Sequence, residues 1–198
     1  MEFSANDKTK ILNLKSSIAS YYNLQMKKIN DKPLEALFFD NCIITGGCIS
    51  SIFHGEAVKD IDLYAKNPAS VVAIKNYILD RSKDNIKTSS HYNLDDVLDD
   101  KDPQPLITAN AITLNNDVQF VHLGDAEQCR SKFDFIHCMP WYDLRKQKLY
   151  ISKAQYESIK KKELVKNPAH AGEIKEPRYN KYLNRGWKWE HKQTTLTT

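Results

Sequence analysis

A chain of 198 residues, 41% hydrophobic, 27% charged and 10% aromatic, has the make-up of a soluble globular protein with one core and a helical appendage. No apolar run approaches the ~20 residues of a membrane span, and Met1 to Lys8 lacks the basic and apolar regions of a secretory signal, so no membrane partner and a cytoplasmic location are expected. Net charge is +4, with eleven Lys or Arg against five Glu in residues 151–198. Cys42, Cys48, Cys129 and Cys138 form no C-x-x-C pair and the six histidines are scattered, which argues against a zinc site or a disulfide scaffold and for four reduced thiols in or near the core.

Residues 7–29 carry apolar positions at helical spacing, and Asp31-Lys32-Pro33 ends that helix before a short second one through Phe39. Cys42-Ile43-Ile44-Thr45 reads as a short buried strand, broken by Gly46-Gly47. A turn or two of helix then runs from Cys48 to His54, closed by Gly55. Val58 to Tyr64 alternates apolar and polar residues, the mark of a strand covered on one face. Asn67-Pro68 opens a helix over 69–81, and the Asp-rich stretch 82–105 reads as a loop or lid. Residues 107–114 and 118–123 predict a hairpin around Asn115-Asn116-Asp117, followed by a short helix over 124–131. A strand or turn over 132–138 and a second hairpin over 141–151 come next. The tail is expected to be helical over 153–166 and again from Pro177. This is an α+β chain: a small mixed sheet flanked by helices, divided into an N-terminal helical segment (1–40), a core (41–152) and a basic helical tail (153–198).

Two features coincide between residues 43 and 64. A Gly-Gly pair sits between a buried strand and a short helix, and Asp60-Ile61-Asp62 lies on the next strand. Alternation points Asp60 and Asp62 to one face, about 7 Å apart. Paired carboxylates repel unless a cation lies between them, and Mg²⁺ is the usual one where a triphosphate shares the site. Gly46 and Gly47 let the backbone approach, the following helix N-terminus offers amides to phosphate, and Ser50 or Ser51 adds a hydroxyl. In the tail, basic residues alternate with aromatics, including Arg178, Lys181, Arg185, Trp187 and Lys188, a mixture that suits phosphate contact with base stacking.

The stretch from Gly46 to Asp62 resembles the motif G-G-x-x-R-D-x-x-x-G-x-x-x-x-D-x-D of DNA polymerase beta-type nucleotidyltransferases, above all the head domain of tRNA nucleotidyltransferases and poly(A) polymerases. Lys132-Phe133-Asp134-Phe135-Ile136-His137-Cys138 is similar to that family's R-R-D-F-T-x-N segment, and the likeness covers about residues 40–152. Small phage-borne nucleotidyltransferase-like proteins are also similar, in the Phe-Asp-Phe stretch and in Lys181-Tyr182-Leu183-Asn184-Arg185-Gly186. The resemblance implies a transferase moving a nucleoside monophosphate from a triphosphate such as ATP to an acceptor hydroxyl, an RNA 3′ end of tRNA-like kind, in the host cytoplasm if phage-encoded. It implies two Mg²⁺ ions, or Mn²⁺ in their place, on Asp60, Asp62 and a third carboxylate, for which Asp134 stands first and Asp117 second. Lys132, preferred to Lys59, would neutralise charge, and Phe135 or Tyr64 would stack on the base. Ser50-Ser51 replace the motif's Arg-Asp, and Gln119 occupies the central position of the next core strand. These departures keep two other readings open: a degenerate nucleotide- or RNA-binding protein, and a structural or assembly protein.

Overall fold

The computed structural model describes residues 2–82, 87–88 (backbone only), 105–115 and 117–189. The lid reading of 82–105 therefore falls almost wholly outside the described residues. Helix α1 (Ala5–Ile29) starts on Ser4, whose hydroxyl accepts from the Asp7 amide, and stops on Asn30 in the left-handed conformation. Asp31 caps α2 (Lys32–Asn41), which runs directly into β1 (Cys42–Thr45). Helix α3 (Gly47–His54) is closed by left-handed Gly55, β2 spans Ile61–Ala65, and Asn67 caps α4 (Pro68–Arg81).

Strands β3 (Lys87–Thr88), β4 (Leu106–Ile107), β5 (Ala111–Leu114) and β6 (Val118–Val121) follow. Next come α5 (Ala126–Arg130), a 3₁₀ turn at Ile136–Cys138, β7 (Trp141–Asp143) and β8 (Lys148–Tyr150). The chain ends with α6 (Lys153–Lys161), β9 (Glu163–Leu164), α7 (Glu176–Leu183) and β10 (Lys188–Trp189).

Eight strands form one mixed sheet in the order β3-β4-β5-β6-β2-β1-β7-β8. The β2–β6 and β3–β4 pairs are parallel and the others antiparallel. The α+β expectation holds. Alternation gives the central strands two unlike faces. One carries Cys42 and Ile44 of β1, Ile61, Leu63 and Ala65 of β2, and Val118 and Phe120 of β6, packed with Leu14, Ile18, Phe38, Ile74 and Ile78 of the helices. Phe38 is fully buried with its ring 5.9 Å from that of Phe120. We expect Phe38→Ala to cost about 3–5 kcal/mol of stability in urea titration.

The other face is covered only at one side, where Ala126 and Cys129 pack on Ile43 and Tyr64. Asp62 and Gln119, paired in register, lie on this second face, and the cleft opens there.

The two helices expected in the tail are present, and two short strands that were not expected join them. Helix α6 ends at Lys161 because Lys162 turns left-handed. The chain then enters β9, which pairs in parallel with β10. A separate core of Phe135, Cys138, Ile159, Leu164, Tyr182 and Trp187 holds this region together. His137 is fully buried within it, 4.0 Å from the Trp187 ring and 4.6 Å from that of Tyr182, and burial pulls its pKa down to about 3. At the other end, the Asp7 carboxylate accepts from Tyr156 Oη at 2.8 Å and Lys160 Nζ at 3.0 Å, tying α1 to α6.

Candidate active site

The glycine turn is pinned from behind. Thr45 Oγ1 donates to the carbonyls of Pro140 at 2.7 Å and Cys138 at 3.2 Å, and the Gly46 amide donates to Cys138 O at 3.0 Å. Gly46 has φ +100° and ψ −164°, a region that only glycine enters without strain. A Cβ at this position would lie 2.9 Å from Asp62 Oδ2. The turn and the Asp62 carboxylate therefore touch. Because α3 begins at Gly47, the unpaired amides of its first turn open beside the two aspartates.

Asp60 and Asp62 are both half-buried and line one cleft of about 670 Å³. Burial, reinforced by the charge of Asp60, pushes Asp62 up to about 7. Burial also raises Asp60, against the pull of Lys181 and Lys59. Gln119 Nε2 donates to Asp60 Oδ2 at 2.8 Å.

The facing wall is built by α7 and the turn after it, through Arg178, Lys181, Tyr182 and Arg185. Tyr182 anchors this wall: its hydroxyl meets Cys138 Sγ at 3.2 Å, and its ring stands edge-on to Phe135. Arg185 donates to Ser51 Oγ at 2.7 Å and to Glu56, which also accepts from Lys162. Lys181 makes no ion pair within 4 Å among the described residues. Burial against the cleft and the neighbouring Arg178 pull its ammonium below the ordinary lysine range.

Of the residues singled out from sequence, the cleft brings together Gly46, Gly47, Ser51, Asp60, Asp62, Arg178, Lys181 and Arg185. Others lie elsewhere. Asp134 is not in the cleft lining; both its oxygens are taken by Arg178, and the Phe135 amide also donates to it. Asp117 pairs with Lys28 at 2.8 Å. Among the described residues no group of three His, Cys, Asp or Glu could hold a metal, so the expected third carboxylate is not assembled. Ser50 is buried and donates to His137 O. Lys132 is exposed outside the cleft, whereas Lys59 lines it, because β2 begins only at Ile61 and strand alternation does not extend back to residue 59. Phe135 and Trp187 are buried in the C-terminal core and offer no free face for stacking. Lys188 is exposed on β10, away from the cleft.

Sequence reasoning missed Phe133 and Tyr182 as lining residues. The signal for Tyr182 was its place four residues after Arg178, on the same face of α7.

A glycine turn, a helix N-terminus and two aspartates at the start of β2 thus meet on the open face of the mixed sheet of an α+β protein. Residues 15–162 match the family described as Gabija anti-defense 2, and the chain belongs to that family. No curated protein is similar enough to match. Among solved structures, a tRNA-processing enzyme in apo form is similar at 12% identity and TM-score 0.47, over 96% of this chain and 45% of that one. The Thermotoga maritima CCA-adding enzyme complexed with tRNA is similar at 13% identity and TM-score 0.47, over 82% and 40%. A tRNA-processing enzyme with CTP gives 12% identity and TM-score 0.39, over 64% and 32%. The chain spans less than half the length of each of these structures. Among the described residues no helix is long and apolar enough to cross a membrane.

Proposed function

We propose that the cleft binds a nucleoside triphosphate with a divalent cation and transfers the nucleoside monophosphate to an acceptor hydroxyl. One observation carries the reading: two half-buried carboxylates line one cleft, with Asp62 against the glycine turn and its charged form disfavoured by burial and then by Asp60, a cost that a cation would offset. Asp60 and Asp62 suit one Mg²⁺, or Mn²⁺ in its place. With Gln119 on the neighbouring strand, no third carboxylate among the described residues joins them to hold a second ion. When bound, the cation would offset phosphate charge and the charge that develops on the leaving group. Gly46 and Gly47 leave room for the phosphates, and the first amides of α3 donate to them. In the reaction the acceptor oxygen bonds to the α-phosphorus, the bond from that phosphorus to its bridging oxygen breaks, pyrophosphate leaves, and the acceptor proton passes to solvent.

The acceptor we propose is an RNA 3′ end. The family name points to counter-defence as the setting, in keeping with the likeness to phage-borne proteins. Purified protein, each of the four ribonucleotides labelled at the α-phosphate, Mg²⁺ and either bulk RNA or cell lysate provide the test. Label should enter a macromolecule, and Asp60→Asn should abolish it; no incorporation from any nucleotide into either pool would sink the reading. A second reading, triphosphate binding without turnover, is favoured by Gln119 standing opposite Asp62 where a carboxylate would complete the site. Binding heat from a magnesium–triphosphate with no transfer would select it.

A further inference from the structure

Of the tail cations grouped in sequence as an RNA surface, Arg178, Lys181 and Arg185 line the cleft. Arg178, Lys181 and Tyr182 fall at i, i+3 and i+4 on α7, and Arg185 follows in the turn after it. Together they form one face of the cleft that also holds the glycine turn and the two aspartates. The face is held rigidly. Tyr182 is buried on Cys138 and Phe135, and Trp187 is buried on His137. Arg178 is gripped by Asp134 and Arg185 by Glu56. Two of the three cations are thus partly neutralised and fixed in position. Lys181, between them, makes no ion pair within 4 Å among the described residues, and its nearest opposing charge of influence is Asp60.

We infer that α7 and the turn after it form a polyphosphate clamp, in which Lys181 contacts the phosphate chain directly and Arg178 and Arg185 border it. This deepens the nucleotide reading above and rests on it for the identity of the ligand, although the clamp itself needs no metal. Asp134 then acts as a positioning residue, orienting Arg178. The physical case is one of charge. The cleft walls carry Lys59, Arg178, Lys181 and Arg185 against Asp60 and Asp62. An anion entering there would favour the charged form of Lys181, which burial and Arg178 disfavour. A polyphosphate brings several negative oxygens at a spacing that one helix face can follow, and charge-assisted bonds to lysine are the strong kind. Residues 178–185 lie beyond the stretch matched to the family, so the clamp is a property read from this chain's own fold.

The probe is inorganic tripolyphosphate, titrated into the full chain by calorimetry in EDTA at low salt. Wild type should bind; Lys181→Ala should weaken binding about tenfold, the size of one charge-assisted contact, and Lys181→Arg should restore most of it. Lys175→Ala removes the same charge from the same helix outside the cleft and should change affinity less than about twofold, with thermal melts confirming that each variant is folded. Absence of binding by wild type, or equal weakening by Lys175→Ala and Lys181→Ala, would overturn the clamp. Asp62→Asn separates the two proposals, since it should leave or tighten metal-free tripolyphosphate binding while abolishing transfer. Binding that depends on Lys181 without any transfer would leave the clamp standing and remove the enzyme. Transfer with a KM for nucleotide unmoved by Lys181→Ala would do the reverse.

Discussion

Asp62→Asn should abolish nucleotidyl transfer and, in the absence of metal, make the protein more stable at pH 8. Burial and the neighbouring Asp60 raise the Asp62 pKa in the fold from 3.8 to about 7. The raised value sets the direction of the linkage. Below the unfolded pKa both states hold the proton and nothing is lost. Between about 4 and 7 the unfolded chain gives up its proton while the folded one keeps it, so stability falls as pH rises. Above 7 the full penalty is present. Asparagine does not titrate and escapes it. Allowing for water reaching the half-buried carboxylate, the penalty is on the order of 2 kcal/mol, or about 4–8 °C in Tm for a chain of this size. Thermal unfolding in EDTA at pH 5 and pH 8 measures it: the variant's advantage should be small at the lower pH and clear at the higher. Adding magnesium to a fixed triphosphate concentration should then raise the wild-type Tm further and leave the variant's unmoved, because only the wild type gains metal-dependent binding linked to folding. Identical melts at both pH values would show that the carboxylate carries no strain for a cation to relieve.

Gly46→Ala should act in the opposite sense, lowering stability and transfer together. The backbone at Gly46 lies where an L-residue costs about 1–3 kcal/mol. The added methyl would also stand 2.9 Å from Asp62 Oδ2. Asp62 sits on β2 in register with Gln119 of β6, one residue before the stretch that pairs with β1, so its backbone is held in the sheet. Its side chain has to swing, and that takes the carboxylate away from Asp60. A loss of about 2–4 kcal/mol in denaturant titration is expected, with transfer falling at least as far as in an aspartate variant. Gly55 provides the comparison. It also has positive φ, +65°, but nothing lies within 4 Å of its added Cβ, so Gly55→Ala should cost about 1 kcal/mol. If the two substitutions cost the same, the contact between turn and carboxylate is not what Gly46 protects.

Much of this was already written in short-range pattern. Ser4, Asp31 and Asn67 cap helices within three residues of themselves. The β-branched run at 43–45 makes a strand without help from afar, and the alternation of β2 turns Asp62 to the face opposite Ile61 and Leu63. Such rules act over a few residues, so they are legible before any fold is known. They failed where an element ended sooner than its pattern. Val58 to Tyr64 reads as one strand, yet the strand begins at Ile61, and Lys59 ahead of it lines the cleft.

Tertiary structure alone decided where the tail lies. A basic helix with interleaved aromatics reads equally well as a surface for RNA or as a wall of a cleft. The difference lies in where Tyr182 and Trp187 are buried, which is against Phe135, His137 and Cys138, more than forty residues earlier in the chain. That docking turns Arg178, Lys181 and Arg185 inward and takes Asp134 out of the expected carboxylate set by pairing it with Arg178. Contacts between segments so far apart depend on the complementary shape of two buried surfaces, and no periodicity in a linear chain records that.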